Sequence, residues 1–179
     1  WRHVCELDVE RQAHWAAMQT AADVRARQAW VRARVLEMMG PFPERCDLNP
    51  RVTGGFQRDG YRVESLIFDS RPRFPVTATL YLPDGDGPFP AVLSPCGHSA
   101  TGRMIDTYQT AHIAFVKQGF AVLSYDPISQ GERLQYLDAE GKSVLQGCCH
   151  EHCMAGNQLN LTGSSFGDIR IWDGIRALD

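Results

Sequence analysis

The sequence predicts an α/β domain in which an antiparallel hairpin leads into a parallel strand–helix–strand unit, with a helical segment ahead of it. Three observations carry that prediction. Two alternating runs, Tyr61–Phe68 and Val76–Leu82, sit close together in the chain and read as paired strands. Two short apolar runs, Pro90–Ser94 and Phe120–Tyr125, have the pattern of strands buried on both faces, and residues 105–118 between them can form a helix. Residues 8–39 contain neither Gly nor Pro, so nothing there interrupts a helix.

Composition narrows the function. With 179 residues and 44% hydrophobic side chains, the chain has enough apolar material for one domain with a core. Its 18 Lys plus Arg and 21 Asp plus Glu are mixed along the chain and leave a net charge of −3. Such a balance creates no field that would draw nucleic acid or an acidic membrane, and a small or weakly charged substrate fits better. No run approaches the roughly 18 apolar residues that span a bilayer. The chain begins with Trp1 and lacks the charged, apolar, small-residue order of a signal peptide. A processed or truncated start is expected, which leaves compartment and oligomeric state open. Cys5, Cys46 and Cys96 are scattered while Cys148, Cys149 and Cys153 crowd together, so free thiols are expected rather than a disulfide framework.

The elements follow in order. One or two helices are expected within residues 1–40, with Val24, Val31, Val35 and Met38 recurring on one stripe and Gly40-Pro41 as the stop. Arg25, Arg27, Arg32 and Arg34 alternate with Ala and Val, the pattern of a solvated face. Residues 41–60, rich in Pro and Gly, read as a linker over a surface, and the α/β domain is placed at 61–179. Pro83-Asp-Gly-Asp-Gly-Pro88 is a strong turn after the hairpin. At the end, Ile169, Trp172, Ile175 and Leu178 recur in steps of three, so 168–179 reads as an amphipathic helix. No strand follows it, and a parallel unit that ends on its helix is incomplete. The chain is therefore expected to be the amino-terminal part of a larger sheet.

Four places can carry chemistry. Gly97-His98 directly follows the first buried strand, where a backbone N–H can be aimed at a developing oxyanion; the competing reading is a turn Gly beside an ordinary surface His. Asp126, Gly131 and Arg133 follow the second buried strand, at the carboxyl end where open α/β sheets place ligands. Asp126 can be a catalytic acid, but an Asp there more often fixes its own loop, with Gly131 and Arg133 setting the loop path. Gln146–Cys153 combines thiols and imidazoles, yet zinc sites use two separated pairs, so a pocket wall or loop anchor is the plainer reading. On an extended segment His150 and His152 would still point the same way. Gly163-Ser-Ser-Phe-Gly167 matches the G-x-S-x-G nucleophile elbow. Against Ser165 stand the short, half-polar stretch 158–162 before it, the lack of a clear crossover helix between Tyr125 and Gln158, and chain order. All six histidines precede Ser165, whereas the triad of this motif runs Ser, acid, His.

Taken together, several motifs resemble a family. Gly40-Pro-Phe-Pro43, Leu48-Asn-Pro-Arg-Val-Thr-Gly54, Gly60-Tyr-Arg-Val63, Pro88-Phe-Pro-Ala-Val-Leu93, Cys96-Gly-His-Ser99, Tyr125-Asp-Pro127 with Gln130-Gly-Glu-Arg133, His150-Glu-His152 and Ile171-Trp-Asp-Gly-Ile-Arg-Ala-Leu-Asp179 occur in one order. From about residue 30 to 179 the chain resembles bacterial α/β hydrolases of acetyl xylan esterase-like or prolyl-oligopeptidase-like type. The resemblance implies the amino-terminal part of the α/β-hydrolase fold, with the strand carrying the nucleophile following the last helix, and the acid and base later. It places Gly97 and His98, with Cys96, in the oxyanion loop; Asp126, Gly131, Arg133 and His152 are read as structural loop residues near the site. It leaves nucleophile, acid and base without counterparts here. The implied function is that of the amino-terminal portion of a serine-dependent carboxylic ester hydrolase, acting on a small-molecule or carbohydrate ester such as an acetylated sugar. No cofactor, nucleic acid or membrane is called for. Two alternatives come from other classes: a non-catalytic interaction module using the Arg-rich helix, and a metal-binding protein using Cys148–Cys153.

Overall fold

The computed structural model describes all residues, Trp1–Asp179, which form two compact units, Trp1–Pro41 and Phe42–Asp179. The first unit holds helices α1 (Arg2–Ala17) and α2 (Ala21–Met39). The break between them is set by Thr20, whose hydroxyl accepts the Asp23 N–H at 3.2 Å while the Asp23 carboxylate accepts the Thr20 N–H at 2.8 Å. This reciprocal cap starts a new helix where propensity alone would run straight through. No side chain of either helix is buried, and the expected apolar stripe of Val24, Val31, Val35 and Met38 is exposed. Among the α2 arginines, Arg27 lies over the Trp30 ring at 4.2 Å and Arg34 pairs with Glu37. No helix of the chain is long and apolar enough to cross a membrane.

The second unit is a five-stranded sheet with helices on both faces. Its strands are β1 (Arg51–Arg58), β2 (Tyr61–Arg71), β3 (Phe74–Pro83), β4 (Ala91–Pro95) and β5 (Ala121–Tyr125), in the spatial order β1-β2-β3-β5-β4. The hairpins β1–β2 and β2–β3 and the pair β3–β5 are antiparallel, whereas β4 and β5 run parallel. Helix α3 (Asp106–Lys117) makes the crossover between the parallel strands, as the sequence predicts. Register explains the two faces. Val63 lies opposite Tyr81, Tyr81 opposite Val122 and Val122 opposite Val92, and this row packs with Val116 and Ile113 of α3. On the opposite face, an odd number of residues along each strand, Phe68 opposes Val76 and Ala78 opposes Tyr125, and this cluster meets Ala177 of the last helix, α5 (Phe166–Leu178). Period-two alternation thus feeds two separate cores.

Two expectations need correction. Residues 41–60 are not a linker: 51–58 are strand β1, and the stretch before it is fastened to the domain. The Leu48 carbonyl accepts the Asp69 N–H at 2.7 Å, the Cys46 carbonyl accepts from Arg176 at 2.6 Å, and Phe42 stacks on Trp172. All eight residues of β1 are exposed, so this edge strand carries no buried alternation that would mark it in the sequence. Gly147–Leu161 forms helix α4, so residues 158–162 are not a strand before an elbow, and a helix does lie between Tyr125 and the end of that stretch. On a helix His150 and His152 project about 200° apart, so they do not point the same way.

Candidate functional site

The carboxyl ends of the parallel strands β4 and β5 each release a loop, and the two loops meet. After β4, Gly97 is held on both sides: its N–H donates to the Tyr108 hydroxyl at 2.8 Å, and its carbonyl accepts from the Gln130 amide at 2.8 Å. A Cβ at position 97 would sit 2.5 Å from the Tyr108 oxygen, so a larger residue there would push the tyrosine hydroxyl off the Gly97 N–H. The Gly97 carbonyl and the His98 N–H belong to one planar trans peptide, so Gln130, by fixing the carbonyl, turns the N–H the opposite way. That N–H has no acceptor within the chain. Gly97 and His98 line a cavity of about 510 Å³, together with Cys96, Tyr125 and Arg170.

The His98 ring is tied to α4. Its Nε2 lies 3.0 Å from Nδ1 of His152, whose ring also packs on Phe166 at 4.9 Å between centroids. Burial, then the Arg170 charge and the neighbouring His98 ring, push the His152 imidazole down to about 4, so it is neutral at ordinary pH. Cys96 is buried, with its sulfur 3.5 Å from the Ser124 hydroxyl, and burial pushes the thiol up, away from the reactive thiolate.

The loop after β5 is built around Asp126, which is fully buried. Its carboxylate accepts the Arg103 N–H and the Thr77 hydroxyl, each at 2.8 Å, and the Glu132 N–H at 3.3 Å, and it pairs with the Arg103 guanidinium. Gly131 has φ +56°, and a Cβ there would lie 2.5 Å from the carboxylate. Arg133 donates to the Asp126 carbonyl at 2.9 Å and to Asp173 of α5 at 2.7 Å. With both oxygens engaged by Arg103, Thr77 and Glu132 and no exposure, Asp126 does not present its carboxylate to a catalytic imidazole. Its geometry is that of a loop anchor.

The remaining candidates do not converge. Ser165 is the N-cap of α5, its hydroxyl accepting the Asp168 N–H at 3.1 Å, and it follows a helix, not a buried strand. Cys148 is buried while Cys149 and Cys153 are exposed, and no three His, Cys, Asp or Glu side chains gather at metal-binding distance. Glu151, fully buried on α4, accepts the Gln135 N–H at 3.0 Å and the Ser143 hydroxyl at 2.7 Å and holds the intervening loop. The sequence reading missed Tyr108, Gln130 and Arg170 as parts of the site. Gln130 stood in a quoted motif, but nothing local shows that its amide reaches a carbonyl 33 residues earlier.

No protein-family model matches the chain. Among characterised proteins it is similar to the esterase FrsA of Citrobacter koseri, 36% identical over 148 residues, which is 77% of this chain and 34% of that protein. It spans 18% of the esterase FrsA of Salmonella typhi, so it covers about a third or less of these relatives' length. Among solved structures it superposes on a Bacteroides fragilis protein assigned as an acetyl xylan esterase, with a TM-score of 0.70 at 24% identity, over 88% of this chain and 43% of that one. Acetyl xylan esterase 1 of a Thermoanaerobacterium species matches with a TM-score of 0.50 at 20% identity, over 72% of this chain and 38% of that one. The five-stranded mixed sheet with its parallel β4–β5 pair and helices on both faces thus has the α/β-hydrolase fold, in a chain similar to about a third of the length of an FrsA esterase.

Proposed function

We propose that the chain supplies the oxyanion-binding part of a serine-dependent carboxylic ester hydrolase. The observation that carries this reading is the Gly97–His98 peptide: a backbone N–H without a partner, fixed through its own carbonyl, at the carboxyl end of a parallel strand and beside a cavity. A serine attacking an ester carbonyl places negative charge on the carbonyl oxygen, and a prepositioned N–H stabilises that charge without reorganising. In this reading nucleophile, acid and base are assigned to no residue among 1–179, and Asp126, Gly131, Arg133 and His152 hold the loops that aim the peptide. The relatives' names point to small-molecule or carbohydrate esters, and an acetylated sugar is the substrate class proposed. Nothing indicates a nucleic acid or membrane partner.

The test separates backbone from side chain at one position. In the complete protein carrying this chain, His98→Ala keeps the N–H and is expected to lower turnover of an aryl acetate mildly. His98→Pro removes the N–H and is expected to cost roughly 10²–10³ in turnover. Equal losses in two folded variants would move the role to the imidazole, and no aryl acetate hydrolysis by the wild type would overturn the reading.

A further inference from the structure

Beneath α3, at the end of β4, lies a buried polar cluster whose histidine takes no part in the chemistry above. Val92 and Ser94 of β4 and Val122 and Ser124 of β5 alternate onto the face that α3 covers, with Ser94 opposite Ser124. His112 of α3 is 1% exposed, and its Nε2 lies 2.8 Å from the Ser94 hydroxyl oxygen. Two residues beyond Ser94, the Cys96 sulfur sits 3.5 Å from the hydroxyl of fully buried Ser124. One turn before His112, Tyr108 stacks on it at 6.5 Å between ring centroids and accepts the Gly97 N–H. Helix α3 therefore grips this stretch twice, at Ser94 through His112 and at Gly97 through Tyr108, and the Gly97–His98 peptide follows directly.

The ring is held where a charge has no partner. Its Nδ1 is buried and makes no hydrogen bond. That burial is complete within this chain, so no other segment can reach the nitrogen while α3 stays seated. With the proton on Nε2, the ring donates to Ser94 and leaves only a lone pair at Nδ1, whereas the other tautomer would orphan a buried N–H. The titratable groups around it supply no counter-charge. Tyr108 on α3 and Tyr81 on β3, tilted against the ring at 5.3 Å, are phenols, and burial pushes Tyr81 and the Cys96 thiol up. Strand β5 offers Ser124, and Arg103, in the Gly102–Met104 turn packed on α3, is engaged with Asp126 and Glu132. Burial alone pushes the His112 imidazole below its ordinary value. A second proton on the ring would bring in a charge and an N–H with no acceptor for either. The seated state is thus favoured above the ordinary imidazole range and loses ground as the pH falls.

We propose that His112 is a positioning residue for the Gly97–His98 peptide and makes it acid-sensitive: protonation of the ring unseats α3 from the end of β4, and the backbone donor is no longer aimed. Its effect on turnover rests on the ester-hydrolase reading, whereas the latch itself does not, and the experiment reads the two separately. In the complete protein, labelling of Cys96 by 2,2′-dithiodipyridine reports the seating of α3. Its rate, read from the mass of the peptide that carries it, is taken relative to glutathione at each pH from 7.5 to 5. That relative rate is expected to rise about tenfold or more in wild type, and less than about twofold in His112→Gln or His112→Phe, which have no ring to titrate. Either variant suffices where the other does not fold. Cys148, buried on α4, should keep its rate. Turnover of an aryl acetate is compared as the kcat ratio of variant to wild type, in which an acid limb common to both cancels. This ratio is expected to climb about threefold or more between pH 7.5 and 5. A flat Cys96 rate in wild type, an equal rise in a folded variant, or a parallel rise at Cys148 would each overturn the latch, the last because it signals general unfolding. A kcat ratio that stays flat while Cys96 opens would overturn the positioning role. A wild type that hydrolyses no aryl acetate would overturn the ester-hydrolase reading and leave the Cys96 result standing.

Discussion

The Ser165 hydroxyl accepts the Asp168 N–H at 3.1 Å and closes the first turn of α5, so Ser165→Ala removes a helix cap. The expected cost is about 1 kcal/mol, read from urea unfolding. Ester hydrolysis by the same variant in the complete protein should stay within a few-fold of wild type. A loss of three orders of magnitude would instead make Ser165 the nucleophile. His152 carries the pH prediction. Its folded value of about 4 lies below the ordinary imidazole value near 6.5, so the unfolded chain binds a proton between these values that the folded chain does not. Its contribution to stability is complete above about pH 6.5 and is lost as the pH falls towards 4. NMR titration should show its ring signal unmoved from pH 7.5 to 5, while His152→Gln flattens the stability–pH slope over that window; a ring titrating near 6.5 would refute the lowered value. At this scale the sequence revealed what lies next to a strand, as Gly97 and His98 do. It hid Tyr108, Gln130 and Arg170, because their partners depend on how loops far apart in the chain meet.

Elements were legible where burial imposed a period. The runs at 61–68, 76–82, 90–94 and 120–125 each alternate into, or lie within, a core, and all four became strands. Strand β1 and helix α4 were not legible, the first because it is exposed throughout, the second because its buried positions are Cys148, Glu151 and Ala155, with no aliphatic stripe among them. Asp126 joins elements that no local pattern connects: Thr77 of β3, the end of β5, the Gly102–Met104 turn through Arg103, and Glu132 of its own loop. Arg103 is 6% exposed and spends its other donors on Thr79 and Glu132. Asp126→Asn therefore leaves Glu132 as the only carboxylate on a buried guanidinium, and the expected destabilisation is about 1–3 kcal/mol. Denaturant unfolding checks this, and pairing it with Arg103→Met should recover part of the loss. A cost below about 1 kcal/mol for Asp126→Asn would show that the loops stand without this anchor.

Across the whole sheet the two edges differ. The β1 edge is blunted by Arg51 and Arg58 at its ends, by two adjacent glycines, and by a register shift between Val52 and Gly54. The β4 edge is not: Ala91-Val-Leu-Ser-Pro95 pairs only with β5, carries no charge, and leaves its outer backbone groups unpaired. Val92 and Leu93, which pack against the two cores, are only partly covered there. A short, uncharged, apolar edge is a template for another strand, so the 179-residue chain on its own is expected to self-associate through β4. Size-exclusion chromatography with light scattering should show a mass above 20.0 kDa that rises with concentration. Ala91→Lys places a charge on that edge at an exposed position and should shift the population to monomer, whereas a charge added to β1, at Val52→Lys, should not. A wild-type chain that stays monomeric at every concentration would mean that the flanking Pro90 and Pro95 already protect the edge.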